Sequence, residues 1–462
     1  MGIINFLNER FFGVLIPFLL IGTGIYLCVR LRFFHFLHPI RTARAMLKKE
    51  NGAGGDSPLR ALCMALAGTL GVGNITGVAL AISAGGAGAV FWMWVSALAA
   101  MILRYSEIVL ALDTRKCKNG AHEGSAMNYI KKGIGGRAGA AVAATFASLC
   151  LVCSFFLGGM VQSNVIGECF SQVMNVPLWV VGCVVSLLAF AVIMGGAKSI
   201  SSICARIVPA MTLLFVVISL FAIIVRIEEL PSVISEIFHD AFSADSALSG
   251  VGGFLFSRAV RVGVARGLIS NEAGCGTAPI AHATSSAYHP SKQGLLGIFE
   301  VFVDTVLLCS LTAFVILLHC EDAILLGGDG MMIVIDAFSS VFGRLSGVII
   351  SVSVFFFAFA TIICWAYYGQ SCANYFHPRF RTLYSVVFCV ALFFGAILIP
   401  DLVWGVTDIL LSAMTLINVL VLIIMADRVV TLSAEFGLIK IKERECGRKA
   451  EHLRSKDVSP CH

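Results

Sequence analysis

Apolar blocks of about 20 residues recur along the whole chain, and a block of that length crosses the hydrocarbon core of a bilayer as a helix. They number about eleven, near 12–30, 58–83, 87–112, 138–172, 177–195, 206–226, 250–283, 294–318, 343–371, 383–399 and 403–427. Only 13% of the 462 residues are charged, too few to cover a water-exposed globule or to keep a chain disordered. The blocks are continuous runs of Leu, Ile, Val and Phe without strand-like alternation, which favours helices over a barrel. The expected class is an all-α polytopic membrane protein. The first block follows Asn8-Glu9-Arg10 with neither a basic start nor a small-residue cleavage exit, so it reads as a retained helix.

Charge placement gives an orientation. Arg32, Arg41, Arg44, Lys48 and Lys49 occupy the first connection, and Arg115, Lys116, Lys118, Lys131, Lys132 and Arg137 the third. Lys198, Lys292, Arg379, Arg381 and the tail from Arg428 share that parity, whereas Glu228, Glu229, Glu236, Asp240, Asp245, Glu321, Asp322 and Asp329 have the opposite one. Basic loops stay in the cytoplasm. The expectation is therefore a multi-pass plasma-membrane protein with its amino terminus outside and its basic tail, 428–462, inside. That tail reads as a solvated end rather than a lipid-binding module, because acidic residues interrupt it. The 16 cysteines include one Cys-x-x-Cys, Cys150 to Cys153, inside an apolar block, which reads as packing and not as a metal or disulfide framework.

Two of the spans are broken by glycine beside polar residues. One reads Ala67-Gly68-Thr69-Leu70-Gly71-Val72-Gly73-Asn74, the other Ser270-Asn271-Glu272-Ala273-Gly274-Cys275-Gly276-Thr277. Each opens a set of five spans, which suggests repeats over 58–227 and 228–427 after an amino-terminal region, 1–57. With five spans per set, the second set runs inverted. Glycine-interrupted helices at matching places in two halves point to a transporter's binding site. Close helix packing explains many of the chain's other glycines, such as Gly85, Gly86, Gly88, Gly158 and Gly159. An unwound helix offers N–H groups to a carboxylate at one end, and carbonyls to an ammonium or a hard cation at the other. Such a site suits a small zwitterion.

Glu272 has three open roles: pairing a ligand cation, carrying a proton, or accepting backbone N–H bonds to hold the broken helix. Gln162 could donate to a ligand carboxylate or bridge two helices, and Trp365 could wall a pocket or anchor at the interface. Glu107 and Asp304, near Arg104 and Glu300, read as structural, and His282 alone is a poor proton relay. No phosphate-binding loop, nucleophile elbow or His-Glu-x-x-His motif occurs, so neither enzymatic activity nor a bound cofactor is expected.

The stretch Gly68-Thr69-Leu70-Gly71-Val72-Gly73-Asn74-Ile75-Thr76-Gly77-Val78-Ala79 resembles the GTxGTGNIAGVA signature of the alanine or glycine:cation symporter family. Residues 266–283, from Arg266-Gly267-Leu268-Ile269 through Ser270-Asn271-Glu272-Ala273-Gly274, are similar to its RGLFSNEAGLGSAPIAHA, and Gln293 to Thr305 continues the likeness. The resemblance implies a LeuT-type inverted repeat with an added amino-terminal helix, and sodium-coupled uptake of alanine or glycine. It implies substrate contacts from Thr69, Gly71, Gly73, Gln162, Asn271, Gly274 and Trp365. It further implies sodium held by carbonyls at Ala67 and Leu70 with the Thr361 hydroxyl, and Asn74, Glu272, Gly276 and Thr277 as structural or coupling residues at the breaks. The chain departs from the pattern at Val72, Ile269, Ala360, Cys364 and Gln370. Val72 and Ala360 each replace a hydroxyl, which opens proton coupling or exchange as alternatives to sodium. A non-transporting amino-acid sensor on the same scaffold is the rival from another class.

Overall fold

The computed structural model describes residues 13–47, 55–118, 121–242, 258–320, 330–398 and 400–440. The start of the 250–283 span and the tail beyond Lys440 lie outside these, as do Lys48, Lys49, Asp245, Glu321, Asp322 and Asp329.

The chain folds as a bundle of helices. An amino-terminal helix α1 (Gly13–Arg30) precedes the first interrupted span, which is split into α2 (Pro58–Thr69) and α3 (Thr76–Gly85). Helices α4 (Gly88–Asp113), α5 (Gly136–Cys153), α6 (Gln162–Met174), α7 (Leu178–Met194) and α8 (Gly196–Val225) follow. A short α9 (Leu230–Ala241) leads to the second interrupted span, α10 (Arg258–Asn271) and α11 (Ala278–His282). Then come α12 (Pro290–Val301), α13 (Ser310–His319), α14 (Gly330–Phe342), α15 (Ser346–Phe376), α16 (Phe380–Gly395), α17 (Pro400–Ile424) and α18 (Ala426–Glu435).

Six stretches among the described residues are long and apolar enough to cross a membrane, and four shorter apolar helices accompany them. Large side chains such as Leu187, Leu213, Val217 and Leu383 point outward uncovered, as expected of surfaces solvated by lipid. Two features depart from simple spans. α5 passes into α6 through π-helical turns at Ser154–Val161, and α12 into α13 through another such stretch at Phe302–Cys309. π-helical turns widen the backbone and commonly mark functional sites. The basic connection after α4 also carries a small hairpin, β1 (Lys116–Lys118) against β2 (Ala121–Glu123).

Helix α4 is the hub, its surface almost wholly covered by the others. Its small residues admit close neighbours: a Cβ on Gly263 would meet the Ala89 carbonyl, and one on Gly267 the Ser96 hydroxyl, so α10 packs on α4 through a Gly-x-x-x-Gly face. Deeper along α4, Arg104 and Glu107 share a face at i,i+3 spacing and are fully buried. Arg104 donates to the carbonyl of Asn271, the last residue of α10, and Glu107 Oε1 accepts the Gly276 N–H at 2.9 Å, just before α11. The cation thus meets the partial negative charge of one half-helix end, and the carboxylate the partial positive charge of the other. Glu300 Oε1 lies 3.7 Å from Arg104 Nε, and its Oε2 is 2.8 Å from His282 Nε2, which extends the network into α12.

The bundle end that carries the basic connections is sealed by backbone pairing. The Asp56 N–H donates to the Thr284 carbonyl at 2.9 Å, and the Ser286 N–H to the Asp56 carbonyl at 2.7 Å. Arg115 donates to the Ser285 carbonyl at 2.6 Å, and Gln293 Nε2 to the Pro58 carbonyl at 3.3 Å.

Removing Arg104 leaves Glu107, Glu300 and the Asn271 carbonyl buried without their cation. Arg104→Ala is expected to cost about 3–5 kcal/mol, seen as a large drop in the thermal unfolding midpoint of the purified protein. A melting curve superimposable on wild type would remove the clamp from this account.

Candidate functional site

The first break is short and open. α2 ends at Thr69, Leu70 leaves helical geometry with ψ 78°, and Val72–Asn74 form a single 3-10 turn before α3. The Gly71 N–H turns back to the Thr69 carbonyl at 2.9 Å instead of continuing the α-helical ladder, so the Ala67 carbonyl has no helical donor. The Ala67 and Leu70 carbonyls both face α15, where Thr361 Oγ1 lies 3.0 Å from the first and 3.3 Å from the second. The Phe357 carbonyl, one turn earlier, is 3.1 Å from the same hydroxyl. One hydroxyl proton can satisfy only one of these three acceptors at a time. The cluster is therefore a concentration of neutral oxygen with surplus lone pairs, the donor set a small hard cation takes. The fourth candidate position, at residue 360, is alanine and supplies no hydroxyl.

Beside it lies a cavity of about 30 Å³, lined by Thr69, Gly71, Gly73, Gln162, Glu272 and Thr361 among others. That is room for one or two waters. Gln162 Oε1 accepts the Val72 N–H at 3.4 Å, and Gln162 Nε2 donates to the Leu157 carbonyl at 3.2 Å. Gly71 permits the approach: a Cβ there would sit 2.9 Å from Thr361 Oγ1 and 3.3 Å from Gln162 Oε1.

The second break is held more firmly. Glu272, Gly274 and Gly276 all have positive φ, at 51°, 87° and 78°. Glycine adopts that region freely, whereas Glu272 is forced there by its surroundings. Its carboxylate accepts Thr277 Oγ1 at 2.9 Å and Trp365 Nε1 at 3.2 Å, and it also reaches the cavity. Asn418 Nδ2 ties Glu107 Oε1, at 2.6 Å, to the Gly274 carbonyl, at 2.8 Å.

The residues singled out from the sequence divide into two groups. Thr69, Gly71, Gly73, Gln162 and Glu272 meet at the cavity, with Ala67, Leu70 and Thr361 at its edge. Asn271, Gly274 and Trp365 stand behind it. The Asn271 amide donates to the Gly267 carbonyl at 2.6 Å and to Thr305 Oγ1 at 3.2 Å, and its Oδ1 accepts the Ala273 N–H at 3.1 Å. Gly274 packs towards Leu20 and Val419, and Trp365 lies against Gly158 while holding Glu272. Gly276 and Thr277 tie the second break, as described. Asn74 joins the two breaks: its Nδ2 donates to Asp304 Oδ1 at 2.8 Å, while Ser270 Oγ donates to Asp304 Oδ2 at 3.1 Å.

The cavity also takes Ile269, which the resemblance implies as a wall position, and Leu157, Arg266, Ser270 and Trp404, which the motifs alone did not assign. Arg266, Ile269 and Ser270 lie within the second motif, so their proximity to it was a usable signal. Phe357 could have been found from Thr361 by one helical turn. Trp404 has no signal in a single sequence.

Two helices broken at corresponding places, with Thr69, Gly71 and Gly73 of one and Ser270 and Glu272 of the other meeting at one small cavity, are the arrangement of a secondary transporter of the LeuT-type inverted-repeat fold. A family model described as the sodium:alanine symporter family matches residues 1–449, and the chain belongs to that family. It is 38% identical to an uncharacterized transporter of Haemophilus influenzae, over 91% of this chain and 93% of that one. It is 33% identical to the sodium/alanine symporter AgcS of Methanococcus maripaludis, over 96% and 98%. Among solved structures, MhsT in complex with L-phenylalanine superposes with a TM-score of 0.58 at 15% identity, over 81% of this chain and 90% of that one.

Gly71→Val would press its side chain onto Thr361 and Gln162 and fill the cavity. The variant is expected to fold, with an unfolding midpoint near wild type, but to lose measurable amino-acid binding in equilibrium dialysis. Retained wild-type affinity would move the ligand site elsewhere.

Proposed function

We propose that the protein imports a small neutral amino acid, alanine or glycine, together with sodium by alternating access. The observation that carries this reading is the convergence of the Ala67, Leu70 and Phe357 carbonyls on the Thr361 hydroxyl, directly beside Gly71 and Gln162. In this reading sodium is a transported substrate that takes those four oxygens. The amino acid's carboxylate faces the N–H groups at Val72 and Gly73, near Gln162, and its ammonium faces Glu272. The cavity as it stands holds one or two waters, so an amino acid enters only when the two breaks move apart, which favours a hydrogen or methyl side chain. Sodium beside the carboxylate lowers the cost of holding either charge at depth, which couples the two ligands. Likeness to AgcS supports the choice of alanine and sodium.

In this reading the basic connections and the basic tail lie in the cytoplasm with the sealed end, and the amino terminus lies outside. The two sets of five spans, 58–227 and 228–427, would act as the moving repeats.

A second coupling reading rests on one observation. Asp304 is fully buried, and among the described residues its hydrogen-bond partners Asn74, Ser270 and Thr305 are all neutral donors. In this second reading its carboxylate takes a proton during transport.

Uptake of labelled alanine into proteoliposomes distinguishes these. An inward sodium gradient is expected to drive accumulation at least tenfold above the no-gradient control (about 1.4 kcal/mol), and Thr361→Ala to abolish that dependence. Uptake that ignores sodium and follows an imposed proton gradient, and that is lost in Asp304→Asn, would replace sodium with the proton. Alanine binding with no flux under any gradient would favour a sensor.

A further inference from the structure

The connection that leaves α1 has two unlike sides. Arg32 and Phe33 take left-handed φ, 55° and 50°, which ends α1, and two short helical segments follow, Phe34–Leu37 and Pro39–Leu47. One side of them is held by the bundle. Phe34 packs edge-on against Tyr105 of α4 with ring centroids 5.2 Å apart, His35 and Thr42 are buried, and Pro39–Leu47 rests on α12. The other side is apolar and uncovered: Phe33 and Phe36 are exposed, Leu37 is 66% exposed and Ile40 74%. Large apolar side chains grouped in this way mark an interaction surface. The group continues a surface that lipid already solvates, because Ile25 and Val29, exposed on α1, precede Phe33 at intervals of four residues. Its flanks are cationic. Arg32 and Arg44 are exposed, and neither forms an ion pair within 4 Å among the described residues, whereas Arg30 is held by Asp427 of α18. Apolar side chains between exposed arginines suit the bilayer boundary, where the apolar groups enter the acyl layer and the guanidiniums stay at headgroup level. Each such cation adds attraction to a negatively charged membrane surface.

We infer that residues 32–44 are a docking surface for anionic phospholipid in the leaflet at the sealed end. Phe36, Leu37 and Ile40 enter the acyl layer, and Arg32 and Arg44 take the headgroups. The inward side of the same segments rests on α4 and on α12, whose Gln293 donates to the Pro58 carbonyl at the sealed end, so lipid grips the bundle beside the contacts that must open. The inference rests on α1 crossing the membrane and is independent of the solute and ion carried.

The test places a tryptophan on the surface, as Ile40→Trp, in full-length protein in lipid nanodiscs. Its fluorescence is read against brominated phosphatidylglycerol and brominated phosphatidylcholine, with the quenching of the native tryptophans in wild type subtracted. Both lipids are expected to quench it, phosphatidylglycerol at about tenfold lower mole fraction. Adding Arg32→Gln and Arg44→Gln together should make the two lipids equal, with an unfolding midpoint in detergent like that of Ile40→Trp alone, because both side chains are exposed. Adding Lys131→Gln instead, an exposed cation on another connection, should leave the preference intact. No quenching of the added tryptophan by either lipid, equal quenching by both before the arginines are changed, or a preference that survives the double arginine variant would overturn the surface. Loss of the preference in the Lys131→Gln variant would overturn its assignment to Arg32 and Arg44.

Discussion

A broken helix inside a bilayer has ends that water cannot reach, and everything else in this structure follows from how those ends are satisfied. At the second break the answer is two side chains one turn apart on α4, one of each charge. Arg104 takes the carbonyl end at Asn271, and Glu107 takes the N–H end at Gly276. The pair is fully buried, so each charge depends on the other and on the helix ends between them. The cost of two desolvated charges is offset because each has a backbone partner of opposite polarity as well as its neighbour.

The first break is satisfied differently. Its freed carbonyls meet a single hydroxyl, Thr361, and its N–H at Val72 meets only the Gln162 amide at 3.4 Å. The two interruptions therefore divide the work. The second is clamped and serves as a template, while the first has capacity to spare and is where ligands can replace protein partners. Asn74 and Asp304 connect the two, so a change at one break is felt at the other. In the proposed cycle the sealed end must also open. It is closed by a few backbone pairs around Asp56 and Thr284 to Ser286 and by contacts to the Ser285 and Pro58 carbonyls. Contacts of that kind exchange readily for water.

Much of this was legible in the sequence because membranes impose few solutions. Length and hydropathy reveal spans, and glycine beside polar residues at depth reveals a break. What the sequence could not supply was direction. Asn271 sits inside the most informative motif, yet its amide turns towards Gly267 and Thr305, away from the cavity. Trp365 lies one layer further out, as the support for Glu272. Both orientations are decided by packing between distant helices: Trp365 has room because Gly158 carries no side chain, and Asn271 faces a hydroxyl supplied by α12's π-helical continuation. The helix over Gly330–Phe342 falls in the stretch that the sequence reads as a connection between the spans 294–318 and 343–371, because its 13 residues are too few to cross a bilayer. Glu107 reads as structural from its charged neighbours, but its partner at Gly276 is set by tertiary contact and has no local signature.

The central claim is that one amino acid and one cation meet at the first break, so their affinities must be linked. The direct measurement is alanine binding to the purified protein, titrated calorimetrically at a series of sodium concentrations with ionic strength held constant by a large organic cation. The account predicts that alanine affinity rises with sodium, that sodium affinity rises with alanine by the same factor, and that Thr361→Ala removes the linkage while weak alanine binding remains. Alanine affinity independent of sodium in the wild-type protein would contradict it.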